Sequence, residues 1–535
     1  MTMKSSDVLV KCLQAEGVER IFGIPGEENL DLMDSLIGSG IEFVLTRHES
    51  SAAFMAGMVG RLTGRPGVCL TTLGPGAANM AIGVMEAYLG YYPLVAMSGQ
   101  LPADCQRYPR KQYVDLRSMF KPITKECISV RSGDDVPHLT RRAFALAAEE
   151  RPGPVFFELP QDVMGQSAEG APREIVPRDA VEVPPEALAM VRELLSSAQR
   201  PVVLSGAGVV RGGAGEALRR FAEVWNLPVA MTWLGAGTMP FDHPLSLGTV
   251  GLRRADMMRA AFEAADLVVL VGFDLMEFEP QYWNFGTAKR VAYIAAAPCD
   301  IVPGFAPDVQ VIGDLSTSLR SLANAGRPGA AWTKELKESL VSMLNTVPEE
   351  NHGVKPQTIV RCVRDALGRE DIVVSDVGAH LIWMAQRYPV YRENTLLMSN
   401  GLFPMGVGVP WAIATKLTFP ACKVVASVGD GSFAMTGMEL ETAKRLDTPF
   451  ITLVWNDRSL ELIRIKQEKT FGRAVGTSFD NPDLVKYAES LGIEGRRVSS
   501  EAELRETLTE FLRDDVLAVI DVAVDSGENA GLSPK

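Results

Sequence analysis

The sequence is short of positive charge: 53 Lys and Arg stand against 66 Asp and Glu, a formal net charge of −13 over 535 residues. Phosphate backbones are bound through clustered Lys and Arg, so nucleic acid is excluded as the main partner. Long apolar runs are missing too. The longest, such as Leu267 to Val271, are strand-sized and fall far short of the ~20 residues that cross a bilayer, so no membrane partner is expected. Cysteine is sparse: Cys12, Cys69, Cys105, Cys127, Cys299, Cys362 and Cys422 are scattered, odd in number and without a CxxC pair. That pattern suits a reducing compartment better than a disulfide framework. No short-period repeat or low-complexity tract interrupts the chain. Leu9, Cys12 and Leu13 already stand at helical spacing behind a Ser/Asp start signal, an opening that leaves no room for a signal or transit peptide. A cytoplasmic location is the expectation.

What is present is the composition of a soluble globular protein, 47% hydrophobic and 22% charged. The length suggests three domains of roughly 150 to 180 residues. From Asp7 to about Met164, helical patterns alternate with short apolar strands such as Gly67-Val-Cys-Leu-Thr-Thr and Pro93-Leu-Val-Ala-Met. Such alternation predicts a parallel sheet with helices on its faces. A Pro-, Gly- and acid-rich stretch over 167–187 reads as a linker, and Ala325-Gly-Arg-Pro-Gly-Ala opens a second one. Between them, Arg200-Pro-Val-Val-Leu-Ser-Gly and Asp266-Leu-Val-Val-Leu-Val-Gly carry buried strands. The third block starts near Lys355 and holds Ile372-Val-Val-Ser-Asp and Lys423-Val-Val-Ala-Ser-Val-Gly-Asp. The fold class is α/β, three doubly wound parallel-sheet domains, with boundaries at 1–166, 188–325 and 350–535.

The most specific chemical signal is Gly429-Asp430-Gly431-Ser432 directly after a buried strand, followed by a helical stretch, the strand Pro449-Phe-Ile-Thr-Leu-Val-Trp, and Asn456-Asp457. One strand end supplies a carboxylate and the next returns a second side-chain oxygen, both at the carboxyl edge where α/β sheets bind ligands. Mg²⁺ takes a few carboxylate or amide oxygens and completes its shell with phosphate oxygens. Asp430, Asp457 and a loop carbonyl suit it, and the ligand set assigned is Asp430, Asp457 and Ser459. The flanking glycines let backbone N–H groups approach a diphosphate, and a helix N-terminus follows. A bare Gly-Asp-Gly is more often only a strand-ending turn; the Asn-Asp at this separation is what reverses the odds.

This pattern resembles the signature of thiamine-diphosphate enzymes and, more closely, of the acetolactate synthase family, and the resemblance extends over essentially the whole chain. Val44-Leu-Thr-Arg-His-Glu49 looks like the family segment bearing its invariant glutamate. The resemblance makes Glu49 the carboxylate that hydrogen-bonds the cofactor's aminopyrimidine, where it stabilises the protonated ring and its imino tautomer. The bland reading of Glu49 is a surface helical acid. His48-Glu49 is not a zinc motif, since position 52 is Ala. Gly23-Ile-Pro25-Gly26-Glu, Thr72-Leu-Gly-Pro75-Gly-Ala-Ala-Asn79 and Lys111-Gln112-Tyr-Val-Asp115 are similar to segments lining the pyrimidine pocket and the substrate side. Gln112 is thereby implied as a catalytic-site residue bordering the acceptor. In the third block, Ser375-Asp-Val-Gly378-Ala379-His380 resembles the loop that meets the diphosphate. Gly401-Leu-Phe-Pro-Met405 resembles the loop whose bulky apolar residue bends the cofactor, although a methionine before glycine is more often ordinary packing. The same likeness assigns Gly429, Gly431, Ser432, Leu460, Glu461 and Leu462 to the cofactor site.

The middle block sorts the branches. Gly206-Ala-Gly208-Val-Val-Arg211 has Arg where a dinucleotide fingerprint needs its third glycine. Phe278-Glu279-Pro280-Gln-Tyr-Trp283-Asn284 and Gly248-Thr-Val-Gly-Leu252 resemble the catabolic, FAD-independent branch, so the expected cofactors are thiamine diphosphate and Mg²⁺, and FAD is not expected. Two departures stand out. Glu461 falls where the family usually has a glycine near the diphosphate, and Glu27 and Glu28 fall where synthases often carry small residues. The resemblance implies a transferase that decarboxylates pyruvate and adds the two-carbon fragment to a second 2-oxo acid, giving 2-acetolactate. It also implies a homo-oligomer with sites at the subunit interface. A carboligase or decarboxylase with another acceptor, favoured by the three glutamates, is the alternative. A non-catalytic paralogue is weakened by the retention of Glu49, Asp430 and Asp457.

Overall fold

The computed structural model describes residues 3–176, 183–251, 258–284, 289–324, 326, 332–346 and 353–532. Both expected linkers fall partly or largely outside them, at 177–182 and at 325 and 327–331, and so does Leu252. The described residues form three six-stranded sheets, each parallel throughout and flanked by helices, and one two-stranded pair. The N-terminal sheet runs in space Glu42–Leu45, Arg20–Gly23, Gly67–Thr71, Leu94–Gln100, Pro154–Pro160, Glu126–Ser129. The C-terminal sheet runs Leu396–Met398, Ile372–Ser375, Val424–Gly429, Ile451–Asn456, Ala518–Ala523, Glu494–Val498. Counted along the chain, both have the order 2-1-3-4-6-5. The central sheet has the order 3-2-1-4-5-6, with Pro201–Ser205 and Leu267–Val271 at its switch point.

The strand sequences explain the burial. In the central sheet Val203, Leu267, Val269 and Val271 join one apolar cluster, while Val202, Leu204, Val268 and Leu270 join another on the opposite face. An uninterrupted Val/Leu run is what period-2 geometry demands when both faces are covered, and each fully buried side chain of this kind stabilises by about 1.5–3 kcal/mol.

Several local expectations are corrected. The first helix, Ser5–Ala15, has Lys4 as its cap, and Asp7 accepts the Lys4 N–H at 3.1 Å, so the Ser/Asp signal lies inside the helix. Ser167–Ala168, read as linker, pairs antiparallel with Met3–Lys4. Helix Pro185–Ser197 begins inside the stretch read as linker and packs Leu188, Val191 and Leu195 into the central core. Helix Lys334–Asn345 contributes Leu340 to the other central cluster.

By compactness the chain forms two units. One comprises Met1–Arg178, Gly401–Ala421 and Ala434–Thr448; the other comprises Asp179–Asn400, Cys422–Phe433 and Pro449–Lys535. Two segments of the third block therefore pack with the first, helix Gly408–Thr418 lying against helix Glu49–Thr63. No helix among the described residues is long and apolar enough to cross a membrane.

Candidate active site

In the first unit the residues singled out by sequence gather at the switch point, where Arg20–Gly23 and Gly67–Thr71 are neighbours but the chain leaves them in opposite directions. Glu49 is the first residue of helix Glu49–Thr63. His48 caps that helix by accepting the Ser50 N–H at 3.2 Å, and Gly64 ends it in the left-handed region at φ 71°. Glu49 is half-buried. Its Oε2 accepts from Asn79 Nδ2 at 2.9 Å, and Asn79 lies on helix Pro75–Gly90 with Pro75 at its first position. Gly74, before that helix, requires glycine: its φ is +56°, and a Cβ there would lie 2.5 Å from the Gln112 carbonyl oxygen. Gln112 is exposed and itself left-handed at φ 63°. Gly26 packs on Thr72, with room for no Cβ (2.3 Å), while Pro25 before it is exposed. Glu28 is buried and accepts the Thr72 hydroxyl, whereas Glu27 is exposed. Met405 is half-buried, in a loop tied down by Thr436 Oγ1 donating to the Gly406 carbonyl at 2.9 Å.

Sequence reasoning missed Glu439. It is 1% exposed, and its Oε1 accepts the N–H groups of Arg47 and His48 at 2.9 and 3.1 Å. Arg445 donates to the Leu45 carbonyl at 2.5 Å and Arg47 to Glu441 at 2.7 Å. Helix Glu439–Arg445 thus holds the residues leading into Glu49. Nothing local in sequence marks this, because the partners are nearly 400 positions apart.

In the second unit the strand ends Ser375, Gly429 and Asn456 lie at one edge. Asp430 is 3% exposed. Its Oδ1 accepts the Gly431 N–H at 2.8 Å, and its Oδ2 accepts the Arg458 N–H and Asn481 Nδ2, each at 2.7 Å. Asn481 is another residue missed, for it stands in a loop with only a following proline to notice. Asn456 is committed elsewhere: it donates to Asp521 at 2.8 Å and accepts from Asn481 at 2.9 Å. Asp457 accepts the Ser459 N–H at 3.2 Å. Burial, then the charges of Asp430 and Glu461, push the Asp457 carboxyl up to about 8. Two crowded acids of this kind are what a divalent cation relieves.

The surroundings fit a metal-bound diphosphate. Ser459 Oγ and His380 Nε2 are buried with no hydrogen-bond partner. Burial pulls the His380 imidazole down to about 4, leaving a neutral ring at pH 7. A Cβ at Gly378 or Gly429 would lie 2.7 or 2.9 Å from that ring, so a side chain at either position would have to displace the buried imidazole. Ala379 opens helix Ala379–Arg387, and Ser432 Oγ donates to the Val377 carbonyl at 3.3 Å. Leu460 precedes helix Glu461–Phe471 and donates its N–H to Thr477 at 2.7 Å, while Leu462 packs on the core. Among the described residues no three His, Cys, Asp or Glu are grouped so as to hold a metal ion.

Three family models match the chain: thiamine pyrophosphate enzyme, N-terminal TPP binding domain, over residues 3–122; central domain, over 188–322; and C-terminal TPP binding domain, over 376–522. The chain belongs to the acetolactate synthase family of thiamine pyrophosphate enzymes, and it is a thiamine-diphosphate-dependent enzyme. It is similar to the acetolactate synthase of Bacillus subtilis (strain 168), 34% identical over 541 residues, which span 99% of this chain and 95% of that one. The probable acetolactate synthase large subunit of Methanocaldococcus jannaschii is 31% identical, over 99% and 94% of the two chains. The catabolic acetolactate synthase of Raoultella terrigena is 32% identical, over 98% and 95%.

Proposed function

We propose that the protein is an acetolactate synthase: a transferase that decarboxylates pyruvate and joins the two-carbon fragment to a second 2-oxo acid. The observation that carries this reading is its whole-length similarity to proteins of that name. Thiamine diphosphate supplies, when bound, the electron sink that the loss of CO₂ requires. Mg²⁺ would be held by Asp430, Asp457 and Ser459, and the orphaned His380 nitrogen and Ser459 hydroxyl would be available to the metal-bound diphosphate. Asp430 is fixed in place by three donors, which supports its role as the anchoring ligand. Glu49, held at Oε2 by Asn79, keeps Oε1 to exchange a proton with the aminopyrimidine ring. Pro25, Gly26, Pro75, Met405 and Gln112 border the pyrimidine and the acceptor.

Flavin has no part in this chemistry, since the two carbonyl steps balance without a hydride acceptor. The central sheet supports a flavin-free protein. At its switch point Glu277, 5% exposed, accepts the Ala207 N–H at 2.9 Å and the Asp274 N–H at 3.1 Å, and also the Thr232 hydroxyl. A Cβ on Gly206 would lie 2.7 Å from Glu277 Oε1. The glycine turn is spent on the chain's own carboxylate. The protein is further proposed to be cytoplasmic, to divide at 1–166, 188–325 and 350–535, and to form a homo-oligomer with sites at its subunit interfaces.

The buried Glu28, set against Thr72 at the pyrimidine edge, favours one second reading, a related carboligase or decarboxylase with a different acceptor. Incubating the purified protein with pyruvate, alone and with an aldehyde, decides between them. Acetolactate from pyruvate alone supports the first reading; acetaldehyde or a mixed hydroxyketone as the main product supports the second. Colourless protein, fully active with thiamine diphosphate and Mg²⁺, is expected, and light scattering should report more than one subunit.

A further inference from the structure

Glu461 places a third carboxylate beside the pair assigned to the metal. It is the first residue of helix Glu461–Phe471, and its side chain is 4% exposed. It follows Asp457 along the chain, across the turn in which Ser459 donates its N–H to Asp457 at 3.2 Å. A free acid there would oppose the diphosphate, because Asp430 and Asp457 already cancel the charge of a divalent cation. The chain answers from one helical turn further on. Arg464 donates Nε to Glu461 Oε2 and Nη2 to Glu461 Oε1, both at 2.7 Å, occupying both oxygens of the carboxylate. Its remaining Nη1 donates to Glu468 at 2.7 Å. The guanidinium is therefore anchored from two sides with its fork turned to Glu461. Exposed pairs at this spacing contribute little, but here one partner is buried and bound bidentately, the geometry in which Arg cannot be exchanged for Lys.

We propose that Arg464 is a positioning residue for the diphosphate end of the site: it turns and neutralises Glu461, allowing an acid to stand where the cofactor's phosphates must approach. This rests on the cofactor site proposed above. Removing the guanidinium leaves a buried, unpaired carboxylate, and loss of a group that supports a metal site costs about 10- to 100-fold in affinity. Calorimetric titration of Mg²⁺ with thiamine diphosphate into the full-length protein tests the idea without relying on turnover. Arg464→Met should weaken binding by about 10- to 100-fold, and Arg464→Met combined with Glu461→Ala should bring affinity back toward wild type. A merely structural arginine would leave the double variant as weak as the single one, and that result overturns the proposal. Wild-type affinity in Arg464→Met overturns it equally. Should the wild-type protein itself bind no thiamine diphosphate, the cofactor site falls first. Thermal melts of both variants separate misfolding from a charge effect: an unfolded Arg464→Met rescued to a folded but non-binding double variant also counts against the proposal.

Discussion

The N-terminal and C-terminal sheets share one strand order, yet their carboxyl edges treat acids in opposite ways. At the first, Glu49 is half-buried and is held by a single side-chain donor, Asn79, while its backbone is braced from behind by Glu439. At the second, Asp430 is buried and collects three donors, two of them backbone N–H groups, and Asp457 is crowded by like charge. An acid that exchanges a proton needs one oxygen left uncommitted. An acid that holds a hard cation gains from being held in place before the ion arrives. The central sheet provides the third case: its edge is filled by Glu277 from within. Topology supplies an edge, and under the function proposed above the donors placed around each carboxylate fit it to its use.

The comparison breaks most visibly at the metal edge. Asp430→Ala or Asp457→Ala should abolish tight Mg²⁺-dependent binding of thiamine diphosphate in calorimetry, whereas Asn456→Ala should bind less poorly and lose thermal stability, since Asn456 bridges Asp521 and Asn481. A crystal structure with Asn456 on the metal and Asp457 turned to solvent would reverse that assignment. At the proton-transfer edge, Glu49→Gln should keep cofactor binding while turnover falls by about two to four orders of magnitude; unchanged turnover would remove Glu49 from the chemistry. Asn79→Ala should cost less, about tenfold in kcat, as expected for one hydrogen bond to a charged group, and an effect as large as that of Glu49→Gln would show that Asn79 does more than orient the acid.

The effect at the central edge bears on stability and not on turnover, and is visible as a pH dependence. Burial pushes the Glu277 carboxyl from its ordinary 4.5 up to about 7. The folded protein therefore binds this proton more tightly than the unfolded chain, and the stabilisation is complete below about pH 4.5 and lost as pH rises to about 7. Glu277→Gln should gain on wild type across that window by up to about 3 kcal/mol. Melting both proteins from pH 4.5 to 8 checks it, and a constant difference in Tm across the range would mean that Glu277 does not titrate there.

Much of this was legible because it is local. Val424–Gly429 and Ile451–Asn456 announce themselves as unbroken apolar runs ended by Gly-Asp-Gly and Asn-Asp, and chain connectivity alone sends both ends to one edge. Glu49 was marked by its segment's resemblance, and its position at a helix start follows from the residues around it. The resemblance also raised Glu27, Glu28 and Glu461 as misfits, without showing how each is accommodated. Packing supplies those answers: Thr72 meets Glu28, Arg464 meets Glu461, and Glu27 faces solvent.

What the sequence by itself determined is the set of strands, the α/β class, and the chemical types standing at the strand ends, since hydrophobic period and turn residues act over a few positions. Only the tertiary structure decided which partners those acids have. Glu439 reaches back to Arg47 and His48, Asn481 closes on Asp430 and Asn456, and Glu277 fills the glycine turn at Ala207. These are hydrogen bonds between residues far apart in the chain, and no local pattern encodes them, because a buried carboxylate accepts any well-placed N–H and the fold alone determines which one arrives.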